Sequence, residues 1–182
     1  MSVEQPMLKS GNLPVTLSTW VFLLSRRGLA PLHEGAASAL AALSAAAEAP
    51  DDADWSALGQ ALVDALADAL GEGTEDEVVG LARALYGDGH IATDPGGDRE
   101  QRLAAARAYQ FKAGLPWLAR IYDRFPDGSV GPHWILVEQI TDVVTCMDPY
   151  PWDTLDEEYQ APVVDFMVKW ELAGNTTIRW VP

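Results

Sequence analysis

His133 opens an apolar, β-rich run, His133-Trp-Ile-Leu-Val-Glu-Gln-Ile140, and Asp148 directly follows the next such run, Val143-Val-Thr-Cys-Met147. If the two runs form an antiparallel hairpin, the head of the first lies beside the end of the second, and the carboxylate can reach the imidazole. A histidine acting as a general base needs such a partner to hold its tautomer and to stabilise the imidazolium. A histidine at a strand edge and an Asp-Pro turn also occur with no chemistry attached, so spacing alone favours the structural reading. The other polar candidates are weaker. His90 lies between Asp88 and Asp94 in a glycine-rich stretch, but three histidines scattered along the chain have no metal-ligand spacing. That stretch reads as a solvated loop, and neither a metal nor a cofactor is expected. His33 reads as a surface residue at a helix start. Asp94-Pro-Gly-Gly-Asp98 is turn chemistry, since it lacks the Lys-Ser/Thr that follows a phosphate-binding loop.

The elements that must position His133 and Asp148 read as helices first and strands afterwards. Residues 1–16, with Pro6, Gly11 and Pro14, read as an extended lead-in. Ser18 to Arg27 is apolar until its end and predicts a buried helix stopped by Gly28. An alanine-rich second helix spans 33–48 and ends at Pro50. Trp55, Leu58, Leu62, Leu66 and Leu70 make one apolar stripe of a third, with Trp55 assigned to the core. Thr74 and Glu77 are a capping-box pair that opens a fourth, ended by Gly87. A fifth runs from Asp98 to Lys112. After Gly114 the pattern becomes strand-like: 116–122, then 133–140 and 143–147 as a hairpin, with Gly131-Pro132 as a breaker and Asp148-Pro-Tyr-Pro-Trp152 as a rigid exit. Residues 163–171 fit either period, and 175–181 predict a closing strand. This order argues for an α+β fold in a single domain over 1–182, helical over about 17–113 and β-rich over about 114–182. The tryptophans of the β-half (Trp134, Trp152, Trp170, Trp180) read as core or as the walls of a groove, and core is favoured because buried aromatics usually pack first.

The bulk properties narrow the function classes. The 182 residues are 48% hydrophobic, enough to bury a core, and no run reaches the length of a membrane span. The N-terminus has no secretory pattern, and the single cysteine, Cys146, excludes a disulfide framework or a multi-cysteine zinc site. A reducing, cytoplasmic setting is expected. The formal charge is −15, with acidic clusters at Asp51–Asp54, Glu72–Glu77 and Asp153–Glu158. Such a field repels phosphate backbones and suits a basic partner, while also keeping an apolar protein in solution. No nucleic-acid or membrane partner is expected, and the sequence does not set an oligomeric state.

The segment Gly131-Pro-His-Trp-Ile-Leu-Val-Glu-Gln-Ile-Thr-Asp142, followed by Val144-Thr-Cys-Met-Asp148-Pro, resembles the C-terminal half of papain-like cysteine peptidases of the bacteriocin-processing type. In that group a catalytic His opens a strand and an Asp-Pro follows the next one. Upstream, Glu72-Gly-Thr through Tyr86-Gly87 is similar to the family's Gly-Thr-led helix, and Gly114-Leu-Pro-Trp-Leu to a strand entry. The resemblance covers about residues 72–182 and rests on the order of the pieces. It implies a papain-like fold, with His133 as base and Asp148 as its orienting partner. The family's nucleophilic cysteine, at the start of the first helix, has no counterpart. Ser10, Ser18 and Thr19 are the hydroxyls nearest that place (Thr16 lies between them), and a hydroxyl is a much poorer nucleophile than a thiolate. Cys146 stands two residues before Asp148 and breaks the family order. The readings left open are a degenerate domain that binds a peptide or protein without cleaving it, an acidic interaction or immunity-type protein masking a basic partner, and a hydrolase using Ser or Thr. A cysteine removed by engineering would leave the same pattern.

Overall fold

The computed structural model describes residues 5–48, 53–125, 128–147 and 158–182, with side chains described from Leu13 in the first helix and from Gln160 in the fifth strand. Helix α1, Gln5–Ser25, replaces much of the expected extended lead-in and carries Pro14 inside it. Leu13, Leu17, Trp20, Val21 and Leu24 recur at helical spacing and are all buried. An internal proline costs about 3 kcal/mol, whereas each large apolar side chain removed from water returns about 1.5–3 kcal/mol. Burial therefore decides the conformation.

Helix α2, Glu34–Glu48, starts at His33, whose Nδ1 accepts from the Ala36 N–H at 3.3 Å. His33 is thus a helix cap and not only a surface residue. Helix α3, Trp55–Leu70, is capped by Asp54, and buries Leu62, Leu66 and Leu70. Trp55, expected in the core, is 46% exposed. As the first residue of its helix it stands at the rim of a groove between α1 and α2. In helix α4, Glu75–Tyr86, the Thr74–Glu77 capping box forms as expected. Its hydrogen bonds hold the Glu77 carboxyl below the ordinary range, the Thr74 N–H contributing most.

The expected loop after Gly87 contains a 3-10 turn, Asp88–His90, and a two-residue strand β1, Ile91–Ala92. His90 does not stand in open solvent. Its ring stacks on Trp180 with centroids 5.5 Å apart, its Nδ1 lies 2.9 Å from the Val181 carbonyl, and the Val181 N–H donates to its own carbonyl. Helix α5, Arg99–Ala113, has a capping box of Asp98 and Gln101 and ends at Gly114, which takes the left-handed conformation. Strands β2, Trp117–Arg124, β3, Val130–Ile140, and β4, Val143–Met147, follow. The Gly131-Pro132 pair, expected to break the chain, lies inside β3 opposite Asp123 and Tyr122. Among the described residues β4 pairs with β3 only as far as Leu136, and Pro132 has its described partner on the β2 side alone, a setting in which a strand tolerates proline.

Strand β5, Glu158–Pro162, was not anticipated, and the ambiguous segment after it is helix α6, Val163–Leu172. Phe166, Met167 and Trp170 face inward, whereas Val164, Val168 and Leu172 are exposed, a helical division of the apolar residues. Gly174 and Asn175, both at positive φ, return the chain into β6, Thr177–Trp180. The rigid exit Asp148–Trp152, Pro50, and the acidic residues 51–52 and 153–157 lie outside the described residues.

The sheet is antiparallel with order β1-β6-β2-β3-β4-β5, so among the described residues the fold is α+β as expected. One face carries Leu118, Trp134, Leu136 and Ile178 into a core shared with α1–α4. The other carries Trp117, Ala119, Ile121, Ile135 and Val137 against Phe166, Met167 and Trp170 of α6 and Ala106 of α5. Arg120 ties the layers together. Its Nη1 lies 2.7 Å from Glu75 Oε2 and donates to the Ala173 carbonyl at 3.2 Å, while Thr176 donates to Glu75 Oε1 at 2.6 Å.

Two measurements test this packing. Leu66→Ala should lower the urea-unfolding free energy by about 2–5 kcal/mol, while Asp68→Ala, one helical position pair away on the exposed face, should change it by less than about 0.5 kcal/mol. Tyr109 is held near α5's inner side with its hydroxyl donating to the Trp180 carbonyl at 2.8 Å, and burial pushes its ionisation up to about 12. The unfolded chain loses that proton near pH 10 and the folded chain retains it, so this contribution to stability is complete below about pH 10 and declines as pH rises toward 12. Tyr86 is shifted in the same direction by burial. Tyr109→Phe should flatten, without abolishing, the fall of urea midpoints measured across that range.

Candidate functional site

His133 is the fourth residue of β3 and pairs with Ile121 of β2. Residues directly opposite in an antiparallel pair project to the same face, and Ile121 belongs to the core under α6. The imidazole therefore stands on the α6 face, half-buried, with the Phe125 ring 5.2 Å away by centroids. Its neighbour Trp134 takes the opposite face and packs into the core with α1.

The described hydroxyls of α1 are on that opposite side. Ser18 is buried and donates to the Val15 carbonyl at 2.8 Å, and Thr19 donates to the same carbonyl at 2.9 Å. Both are engaged with their own helix, behind the layer formed by Leu17, Trp20 and Val21 on the sheet. Thr16 is buried as well. Ser10 lies in α1, and its side chain is outside the described residues. The structure thus places Ser18 and Thr19 on one face of the sheet and His133 on the other, and does not bring them together. Asp148 lies outside the described residues. The β3–β4 pairing runs as far as Leu136–Met147, with β3 and β4 neighbours as the sequence indicates. Cys146 is fully buried in the core under α6. His90, His33 and the Asp94–Asp98 turn are occupied with the fold: Asp94 accepts from the Gly96 N–H and meets Arg102 at 3.9 Å. No group of acidic, histidine or cysteine side chains suited to a metal occurs among the described residues.

A different concavity emerges where α5 passes the far end of the sheet. Arg107, Gln110 and Phe111, at positions i, i+3 and i+4, share one face of α5. Facing them are Glu138 to Asp142, Thr145 and Gln160, around a groove of about 960 Å³. Gln139 pairs with Thr145 and Thr145 with Gln160, so these three side chains form a row across β3, β4 and β5. A register shift between Val137 and Gln139 inserts Glu138 as an extra residue, and such a bulge re-aims the side chains beside it. Arg107 anchors the rim by donating to the Thr141 carbonyl at 2.5 Å, with Asp142 at 3.9 Å. Phe111 is 94% exposed. Sequence reasoning missed this groove, because the row depends on a β5 register that no local pattern announces. Phe111, an aromatic on an otherwise polar helix face, was the one available signal.

No family model, no curated protein and no solved structure matches this chain.

The burial of Cys146 sets a concrete expectation. A water-soluble thiol reagent should modify the folded protein only as fast as the sheet opens, and should react at the free-thiol rate in denaturant. Fast labelling of the native protein would mean that the β3–β4 face is uncovered.

Proposed function

We propose that this chain binds a basic protein or peptide partner without cleaving it, as a papain-like domain that lacks the nucleophile or as an immunity-type masking protein. The observation that carries this reading is the distribution of charge. From Gly28 to Ala82 there are eleven carboxylates and not one Lys or Arg. Asp54, Asp64, Asp68, Glu72 and Asp76 are exposed along α3 and the start of α4. Among the described residues of this stretch, only Glu75 meets a cation, Arg120. The other ion pairs among the described residues lie in the second half of the chain, where cations are interspersed with the acids: Arg99 with Glu171, Arg102 with Asp94, Arg107 with Asp142 and Lys169 with Asp123. A one-signed surface of this kind attracts a cationic partner, accelerates encounter and repels like-charged ligands.

Absence of cleavage is supported by the geometry of the candidate residues. A general base activates a hydroxyl only within hydrogen-bond reach, directly or through one water. Ser18 and Thr19 are separated from His133 by the sheet and already donate to Val15.

The test uses a fluorescent lysine-rich peptide as the basic probe. At about 50 mM salt the wild-type chain should bind it, and the triple variant Asp64→Lys, Asp68→Lys, Glu72→Lys should bind at least about tenfold more weakly, since several exposed pairs of about 0.2–1 kcal/mol become repulsions. Affinity should also fall as salt rises. Equal binding by the triple variant would remove the acidic-surface reading. Peptide hydrolysis that His133→Ala abolishes would replace it with the hydroxyl-nucleophile hydrolase.

A further inference from the structure

The groove between α5 and the β3–β4–β5 end of the sheet has the chemistry of a backbone-reading site. Its floor is a row of neutral hydrogen-bonding side chains, Gln139, Thr145 and Gln160, one on each of three neighbouring strands. Among the described residues, none of the three makes a side-chain hydrogen bond. Strands stand about 4.8 Å apart, so the row extends about 10 Å, the length of about three residues of extended chain. A glutamine amide offers one acceptor and two donors and a threonine hydroxyl offers both functions, which matches the alternating N–H and C=O groups of a peptide. The wall opposite includes Gln110, whose Oε1 is buried and has no hydrogen-bond partner among the described residues, and beside it Phe111 presents nearly its whole ring to solvent. Arg107 is held by Thr141 and Asp142, and Asp142 itself is fully exposed at the rim.

We infer that this groove binds an extended peptide segment crosswise over β3, β4 and β5. Gln139, Thr145 and Gln160 hydrogen-bond its backbone, Phe111 receives an apolar side chain, and Asp142 receives a basic one. The inference rests on the reading of the chain as a non-cleaving binder of a basic partner, and it assigns that partner a second contact besides the acidic helices. The neutral row distinguishes the two contacts. Amides and hydroxyls add no attraction for charge as such, so this site selects for backbone N–H groups and for spacing. The acidic face of α3 and α4 selects for charge alone.

The experiment is an NMR titration of the full, isotope-labelled chain with acetyl-(Lys-Leu)3-amide, repeated with the same peptide N-methylated at alternate backbone nitrogens. Methylation removes N–H donors and keeps every charge. Expected are shifts at the side-chain amides of Gln110, Gln139 and Gln160 and at Thr145 and Phe111. Binding should weaken about tenfold on N-methylation, and similarly in the Gln139→Leu/Gln160→Leu variant, as two lost hydrogen bonds imply. Phe111→Ala, at a site too exposed to disturb folding, should weaken both peptides equally. Shifts confined to α3 and α4, with equal affinity for the two peptides, would overturn the groove while leaving the acidic-surface reading in place. No shift anywhere overturns the groove too, and the triple charge reversal then judges the acidic surface separately. A neutral oligosaccharide that shifts the groove residues when the peptide does not would overturn it in favour of sugar recognition.

Discussion

The antiparallel pairing of β2 with β3 is the constraint on which the other layers depend. Its eight-residue register alternates strictly, sending Leu118, Arg120, Trp134 and Leu136 to one face and Trp117, Ala119, Ile121, Ile135 and Val137 to the other. Both faces are apolar, so both must be covered, and that requirement explains why helices lie on each side. Four helices cover the first face, and α6 with part of α5 covers the second. Arg120 is the polar exception within the pair. Its partners Glu75 and Ala173 come from the two ends of the helical cover, and a charge at that depth is tolerated because it is paired and hydrogen-bonded.

Charge is divided between the same two halves of the chain. Ion pairs link α5, the sheet and α6, each worth little by itself at the surface. The α2–α4 part carries unneutralised carboxylates instead, and mutual repulsion works there against compaction. What offsets it is the apolar packing of α3, whose Leu62, Leu66 and Leu70 are almost fully removed from water against α1 and α2. A cationic partner of the kind proposed would relieve this repulsion as well as form contacts, and its binding would then add to stability.

How much was legible in the sequence follows from the range of the interactions involved. Thr74 with Glu77, Asp98 before α5, and the stripe from Leu58 to Leu70 announce their helices because caps and periodicity act within a few residues. The hairpin of β3 and β4 was legible for the same reason. Pro14 misled because its cost is local, whereas the compensating burial of Trp20 comes partly from the Pro116 carbonyl and Tyr86, far along the chain. Strands β1 and β5 were missed because each is short and is defined by its partner: Ile91 by Trp180, and Gln160 by Thr145. The same distinction applies to the candidate residues. His133 was placed correctly in a strand, although β3 begins three residues before it, and the face to which it points is a property of the sheet as a whole.

That face decides which candidate residues His133 can meet. Because side chains alternate along a strand, bringing His133 to the α1 side would require a one-residue slip of β3, and a slip of one residue exchanges the two faces completely. Trp134, Leu136 and their partners would leave the helical core, and Ile135 and Val137 would enter it. At about 1.5–3 kcal/mol for each large apolar side chain, the disruption exceeds anything a single hydrogen bond to an imidazole returns. The packing that makes β3 the centre of the fold therefore also holds His133 on the face away from Ser18 and Thr19.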